Sequence, residues 1–427
     1  MKVLIITYYW PPSGGSGVQR WLKFVKYLQD FGITPVVYTV DNPDYAIEDS
    51  SLVQEVPKGI EVLKQPIWEP YKLANLFNKG KATKTSAGFL ATKQSVFGKL
   101  STYVRANYFI PDARMFWIKP SIQFLEKYLN DNSVDAVITT GPPHSLHKIG
   151  LGLKKRLNVN WIADFRDPWT EIDYFHQLPL TNKAIKKHQS QEKEVLTKAD
   201  VVLVVGPTMR MNYLKFNKNT HVITNGYDGE ISGKSEVLDS KFSITHIGLM
   251  NEDRNPYSLW KVLAELTKVQ MGFSDDLEIK LIGKVDPIVL KEIEILGLTP
   301  YVKRIDYLPH SEVQKYQRTS QVLLLAVNKV PSAKGIITGK IFEYLLAKRP
   351  ILAIGPEDGD LSILLKETKA GSCFDFDNPK GQKSEIIELY QRYKNETLIL
   401  KSKHIERYHR KELTRQLAAL IQTNFGK

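Results

Sequence analysis

Gly335-Ile336-Ile337-Thr338-Gly339-Lys340-Ile341-Phe342-Glu343-Tyr344-Leu345-Leu346 reads as a glycine-bearing loop that opens a helix, with a lysine at the helix mouth and a glutamate one turn in. An apolar strand follows at once, Pro350-Ile351-Leu352-Ala353-Ile354-Gly355. First-turn amides of a helix lack backbone partners, and the helix dipole favours negative charge there. Loop, helix mouth and cation together suit a diphosphate. Glu343 can accept hydrogen bonds from a ribose. A helix leading straight into a buried strand is also the repeating step of an α/β fold, and that step recurs along the chain.

Residues 2–7 form a short apolar run ended by a turn, as a buried parallel strand should. The loop Tyr8 to Gly17 carries Pro11, Pro12, Gly14, Gly15 and Gly17. Val18, Trp21, Leu22, Phe24, Val25 and Leu28 then follow at helical spacing, Gly32 ends the helix, and 36–40 is the second strand. After an interruption at 72–119 the rhythm resumes, with strands at 134–140, 160–165, 201–205 and near 221. A linker-like stretch lies at 229–240. A second series runs through strands at 242–248, 277–283, 301–306, 322–326 and 350–354. The expected fold is therefore α/β, with two Rossmann-like domains facing across a cleft. Their expected bounds are 1–228 and 241–405, and a last helix, 406–427, packs back on the first domain. Ligands in such sheets bind beyond the carboxyl ends of the strands.

A chain of 427 residues is too long for one ordinary core. Apolar content of 42% and charged content of 25% are those of a globular protein. No apolar run approaches the roughly 20 residues needed to cross a bilayer, and Met1 to Thr7 is punctuated too early by Pro11-Pro12 for a signal peptide. The single cysteine, Cys373, excludes intrachain disulfides and points to a reducing, cytoplasmic setting. The net charge of +13 calls for an anionic partner. Nucleic acid is not the expected one, because no basic helix with base-reading residues stands out. A metal site is not expected either. There is no H-E-x-x-H, and His144 and His147 sit three apart without a nearby third ligand.

Several stretches carry candidate chemistry. Gly14-Gly15-Ser16-Gly17 fails as a dinucleotide fingerprint because Arg20 stands where the last glycine belongs, which also weakens Asp41 as a ribose ligand. The loop is either a flexible connection or a backbone cradle for phosphate or sugar oxygens. Asp164-Phe165-Arg166-Asp167-Pro168-Trp169 ends a strand. Its arginine and carboxylates form a structural ion pair, or Arg166 and Asp167 face the reacting centre, with His144 on the same rim. Arg254 follows the Gly248 turn and is either an oxyanion ligand or a surface cation. Residues 72–119 set nine basic residues against one acid, Asp112, with aromatics interleaved. They are either a solvated insertion whose aromatics pack on the first domain, or a surface for anionic membrane or a lipid-linked substrate.

In this order the pieces resemble the GT-B glycosyltransferases, specifically glycosyltransferase family 4 of the bacterial surface-polysaccharide type. The resemblance rests on the Pro11-Pro12 and Gly14-Gly15 loop, Thr224-Asn225-Gly226-Tyr227-Asp228, Gly248 with Arg254, and Gly339-Lys340-Ile341-Phe342-Glu343-Tyr344 before Pro350. It implies transfer of a sugar from a nucleoside-diphosphate sugar to a polysaccharide or lipid-linked acceptor. Retention, no metal and no cofactor are implied too, at the inner face of the plasma membrane. Gly14 and Gly15 would approach the diphosphate, Gly248, Thr338 and Gly339 would line it, Arg254 and Lys340 would neutralise it, and Glu343 would bind the ribose. The sequence departs from the family at three places. Gly335 stands where the first of two paired glutamates belongs, Leu249 stands at an arginine position, and Arg166 replaces a histidine before Asp167. A nucleotide-sugar epimerase of the same fold and a non-catalytic nucleotide-sugar-binding subunit are the alternatives.

Overall fold

The computed structural model describes residues 1–68, 96–173, 175–229 and 236–426. It divides into two compact units. The first comprises Met1–Asp228 with Arg410–Lys427, and the second Gly229–His409.

The first unit is built on a parallel sheet. Among the described residues its strands are β1 (Lys2–Ile6), β2 (Thr34–Val40), β3 (Glu61–Gln65), β4 (Ala136–Gly141), β5 (Trp161–Phe165), β6 (Val201–Val204) and β7 (Thr220–Val222), in spatial order β3-β2-β1-β4-β5-β6-β7. The central strands are apolar on both faces because helices cover both. On one face the helix Ser16–Leu28 buries Val18, Trp21, Leu22, Val25 and Leu28. Leu413, Leu417, Ala418 and Ile421 of the last helix, Arg410–Phe425, join that cluster. Each large apolar side chain so buried contributes roughly 1.5–3 kcal/mol relative to exposure. On the other face lies Met115–Asp131, whose Trp117 stacks on Tyr38 of β2 at 5.1 Å and 14°.

The second unit repeats the plan. Its described strands are β8 (Phe242–Ile247), β9 (Leu277–Ile282), β10 (Val302–Ile305), β11 (Val322–Ala326), β12 (Ile351–Ile354) and β13 (Gly371–Phe374), in the order β10-β9-β8-β11-β12-β13, all parallel. Its core gathers residues from β8, β9, β11 and β12 and from helices Tyr257–Val269, Pro287–Ile295 and Pro379–Lys394.

Strand order reverses once in each sheet, between β1 and β4 and between β8 and β11. At such a switch point the loops leave the carboxyl edge in opposite directions and open a crevice, where ligands bind in this class of sheet.

Two local features differ from the sequence reading, and a third follows one of its alternatives. The edge strands β3 and β13 were not foreseen. Both are half-buried and lack a continuous apolar run. The linker expected at 229–240 ends sooner, because Glu236 is paired with Arg318 and Asp239 with Lys280, which ties residues from 236 onward to the second unit. Within 72–119 the helices Val96–Tyr108 and Met115–Asp131 form, and Trp117 packs into the first unit. The remainder of that basic-aromatic stretch, through residue 95, lies outside the described residues.

Candidate active site

In the second unit the candidate residues converge on the β8/β11 switch point. Gly248 follows β8 with φ of +104°, a conformation that glycine adopts without strain. The helix Lys340–Ala347 follows β11, with Gly339 as its N-cap and Lys340 as its first residue. The Lys340 ammonium folds back over Gly248, so that a Cβ there would lie 2.6 Å from Nζ. Burial, and then the positive charge of Arg254, lower the pKa of Lys340 to about 7, although Glu343 pulls it upward. A half-charged lysine beside a second cation is a site that gains by taking up an anion.

Arg254 closes a short 3₁₀ turn, Glu252–Arg254, and its Nε donates to Asn328 Oδ1 at 2.5 Å. The backbone amide of Lys329 donates to Asp253 O at 2.7 Å. The segments that leave β8 and β11 are thus zipped together, and the guanidinium plane is set by Asn328. Beneath them lies His246, 1% exposed, with Nδ1 3.3 Å from Leu324 O of the neighbouring strand. A carbonyl only accepts, so Nδ1 carries the proton. Burial first, and then the charge of Lys340, hold this imidazole well below the usual histidine range, and it stays neutral.

Glu343 sits one turn into its helix and accepts a hydrogen bond from Gln317 Nε2 at 2.9 Å. At the mouth of the same helix the Thr338 hydroxyl oxygen is buried with no partner in the protein. A Cβ on Gly339 would meet nothing within 4 Å, so the space in front of the helix mouth is open. Gly335 lies in a 3₁₀ turn, Ala333–Gly335, and offers only backbone at that position.

The first unit brings its candidates to the β1/β4 switch point. Gly15 is the N-cap of Ser16–Leu28 with φ of +80°, and a Cβ there would meet nothing within 4 Å. Gly14 is packed instead. Its amide donates to Ile47 O at 2.9 Å, and a Cβ would come within 2.8 Å of the Ile47 side chain. Arg166 donates from Nη1 to Gly17 O at 2.9 Å and from Nη2 to Pro142 O, which ties the loop after β1 to the loop after β4. Asp167 is exposed. His144 precedes the helix Ser145–Leu157 and stacks on Trp169 at 4.8 Å and 3°. Burial, then His147 and Arg166, hold it well below the usual histidine range.

The ion pair weighed around Arg166 exists, but with a different arginine. Asp164, fully buried on β5, accepts from Arg20 Nε at 3.2 Å and Nη2 at 2.8 Å, from Trp21 Nε1 at 2.8 Å and from Thr140 Oγ1 at 2.9 Å. Burial alone would raise this carboxyl. The charge of Arg20 and the three donors outweigh it and leave the pKa lowered. Arg20 also donates to Thr224 O at 2.8 Å. The sequence reading assigns no role to Gln317, Asn328 or His246, and none to Arg20 beyond excluding the dinucleotide fingerprint. Asn328 carries a usable signal, as the first polar residue after the apolar run Val322 to Val327. The others depend on contacts between distant segments.

No family model matches this sequence, and no curated protein matches it. Solved structures do match over nearly the whole chain. An E. coli structure described as trehalose-6-phosphate bound with UDP-2-fluoro glucose is similar with a TM-score of 0.61 at 12% identity, covering 99% of both chains. The apo form of the lipopolysaccharide outer core galactosyltransferase WaaB is similar with a TM-score of 0.60 at 12% identity, again over 99% of both chains. The fold is GT-B. A putative UDP-N-acetylglucosamine 2-epimerase from Listeria monocytogenes is similar too, with a TM-score of 0.56 at 11% identity over 99% of this chain and 96% of that one. GT-B glycosyltransferases recur among these structural neighbours. At such identities the likeness speaks to the fold, and the chemistry has to be argued from this chain's own residues.

Proposed function

We propose that this chain is a glycosyltransferase of family 4 type that takes a sugar from a nucleoside-diphosphate sugar. The observation that carries the reading is the pairing of cations at the β8/β11 switch point, with the Lys340 ammonium over Gly248 and the Arg254 guanidinium held by Asn328. Breaking a sugar–diphosphate bond leaves negative charge on the diphosphate. Fixed cations and helix-mouth amides where that charge develops lower the barrier. Glu343 takes the ribose, and Thr338 and Gly339 line the phosphates. The chain's own residues contribute binding, orientation and charge, and transfer proceeds with retention and without metal. The acceptor, assigned to the first unit, is a polysaccharide or its lipid-linked precursor at the cytoplasmic membrane face. There Arg166 ties the start of the helix Ser16–Leu28 to the loop after β4 through its bonds to Gly17 O and Pro142 O, each of which takes one of the two N–H groups on its nitrogen.

The test is a panel of sugar nucleotides incubated with the full-length protein, with and without membrane-extracted acceptor and with excess EDTA. Acceptor-dependent release of nucleoside diphosphate that survives EDTA is the expected result. Arg254→Ala and Lys340→Ala should each cost at least about 2 kcal/mol of transition-state stabilisation, roughly thirtyfold in kcat/KM, while leaving the fold intact. Near-wild-type turnover in both variants would remove the diphosphate-clamp reading.

An epimerase reading is kept because an epimerase is among the structural neighbours. Conversion of the donor sugar without any acceptor would favour it.

A further inference from the structure

We infer that Gln317 positions the Glu343 carboxylate so that it discriminates ribonucleotides from deoxyribonucleotides, an inference that rests on the donor-site reading above. Gln317 lies on the helix His310–Thr319, which packs against Lys340–Ala347, and is only 3% exposed. A buried primary amide needs partners for its N–H groups, and the partner of Nε2 is Glu343 Oε2 at 2.9 Å. The contact joins two residues 26 apart in sequence and on different helices, so it fixes the glutamate rotamer from outside its own helix.

The chemistry of the donor matters. An amide donates without carrying charge, so it orients the carboxylate and leaves its negative charge in place. A lysine or arginine at 317 would neutralise the group. An ionised carboxylate offers about four acceptor positions on its two oxygens, and the amide takes one of them. Those that remain suit two adjacent hydroxyls, which is the arrangement of ribose O2′ and O3′. Glu343 is also close enough to Lys340 to act on its charge. The same few side chains therefore meet the sugar and the phosphates of one nucleotide. An unbraced glutamate would have to be ordered at the moment of binding, at an entropic cost that the buried amide has already met.

The experiment compares UDP and GDP with their 2′-deoxy forms by titration calorimetry on the full-length protein. Wild type should prefer the ribo form of the tighter nucleotide by about tenfold or more, the size expected for hydrogen bonds to a charged group. Gln317→Leu, and Gln317→Met with an equally long but apolar side chain, should cut that preference to below about threefold while leaving the affinity for the deoxy form little changed. A merely structural role would weaken both forms together. Circular dichroism and thermal unfolding check that each variant is folded. Retention of the wild-type preference in both Gln317 variants, with its loss in Glu343→Ala, overturns the role of Gln317 and spares the ribose reading. A wild type that does not distinguish the two forms overturns both.

Discussion

Lys340 Nζ lies over Gly248, near enough that a Cβ on the glycine would reach Nζ at 2.6 Å and Cε at 2.8 Å. The glycine therefore does two things at the end of β8. It turns the backbone through positive φ, and its lack of a side chain leaves the room that the ammonium occupies as it returns from a helix more than 90 residues later in the chain.

Gly248→Ala should accordingly displace the lysine as well as strain the turn. We expect the affinity for UDP or GDP to fall at least tenfold, about 1.4 kcal/mol, and the melting temperature to drop by a few degrees. Gly339→Ala, whose Cβ meets nothing within 4 Å, is the control and should leave stability nearly unchanged. Calorimetry and thermal unfolding read both. An alanine at 248 that binds as well as wild type would mean that Lys340 does not need this position.

The Lys340 amine titrates at about 7, lowered by burial first and then by Arg254. Below that pH the free site already carries the proton. Above it the amine is neutral beside the Arg254 cation, and forming the lysine–diphosphate ion pair must take a proton up. Uptake should approach one proton per site near about pH 8 and vanish near about pH 6, with affinity weakening as pH rises between about 7 and 9. Calorimetry in buffers of different ionisation enthalpy measures this, and Lys340→Met should abolish it. The sign for stability is opposite to that of a paired lysine. Because the folded pKa lies below the unfolded value of 10.5, this group makes the free protein more stable as pH rises from about 7 toward 10.5. Equal proton uptake in wild type and Lys340→Met would refute the assignment.

Arg20 and Asp164 form a fully buried pair, 1% and 0% exposed, that joins the helix after β1 to the end of β5. Arg20→Met leaves a buried carboxylate with two neutral donors and no cation. We expect a loss of about 3–5 kcal/mol, the range for an uncompensated buried charge. Urea unfolding followed by tryptophan fluorescence should show it, since Trp21 and Trp161 sit in the same unit. Adding Asp164→Leu to Arg20→Met should recover part of the loss. An unchanged urea midpoint in the single variant would refute the pair's importance.

Leu100, Tyr103, Val104 and Tyr108 stand exposed on the helix Val96–Tyr108, which also carries Lys99 and Arg105. Apolar rings and cations on one surface helix suit an anionic bilayer surface. Vesicles containing phosphatidylglycerol should retain the protein in low salt and release it as salt rises. Leu100→Asp with Tyr108→Asp should reduce retention at least threefold, by the loss of apolar insertion. Salt-independent binding, or binding unaffected by the double substitution, would remove this surface as the docking face.

Much of this protein is legible from local sequence because its central strands are buried on both faces and so are written as unbroken apolar runs. Val322 to Ala326 and Ile351 to Ile354 could be little else. Glu61–Gln65 and Gly371–Phe374 escape the same reading because an edge strand buries only part of its surface and carries a mixed composition. The candidate site divides along the same line. Gly248, Arg254, Lys340 and Glu343 are recognisable from their positions at strand ends and a helix mouth. Gln317 and His246 acquire meaning only when helices pack or β8 pairs with β11. Arg20 finds Asp164 at a sequence separation of 144, a contact that no window along the sequence contains.

The last helix of the chain belongs to the core of the first unit. Leu413, Leu417, Ala418 and Ile421 lie against Val18, Trp21, Leu22 and Val25. During synthesis, therefore, the first unit to emerge from the ribosome cannot complete its hydrophobic face until residues 410–425 have been made, after the whole of the second unit. Domains usually mature in the order in which they are translated. The second unit does not include residues 410–427, so it is expected to complete its core first. A chain truncated after residue 409 should expose the apolar stripe of the helix Ser16–Leu28 that those residues cover.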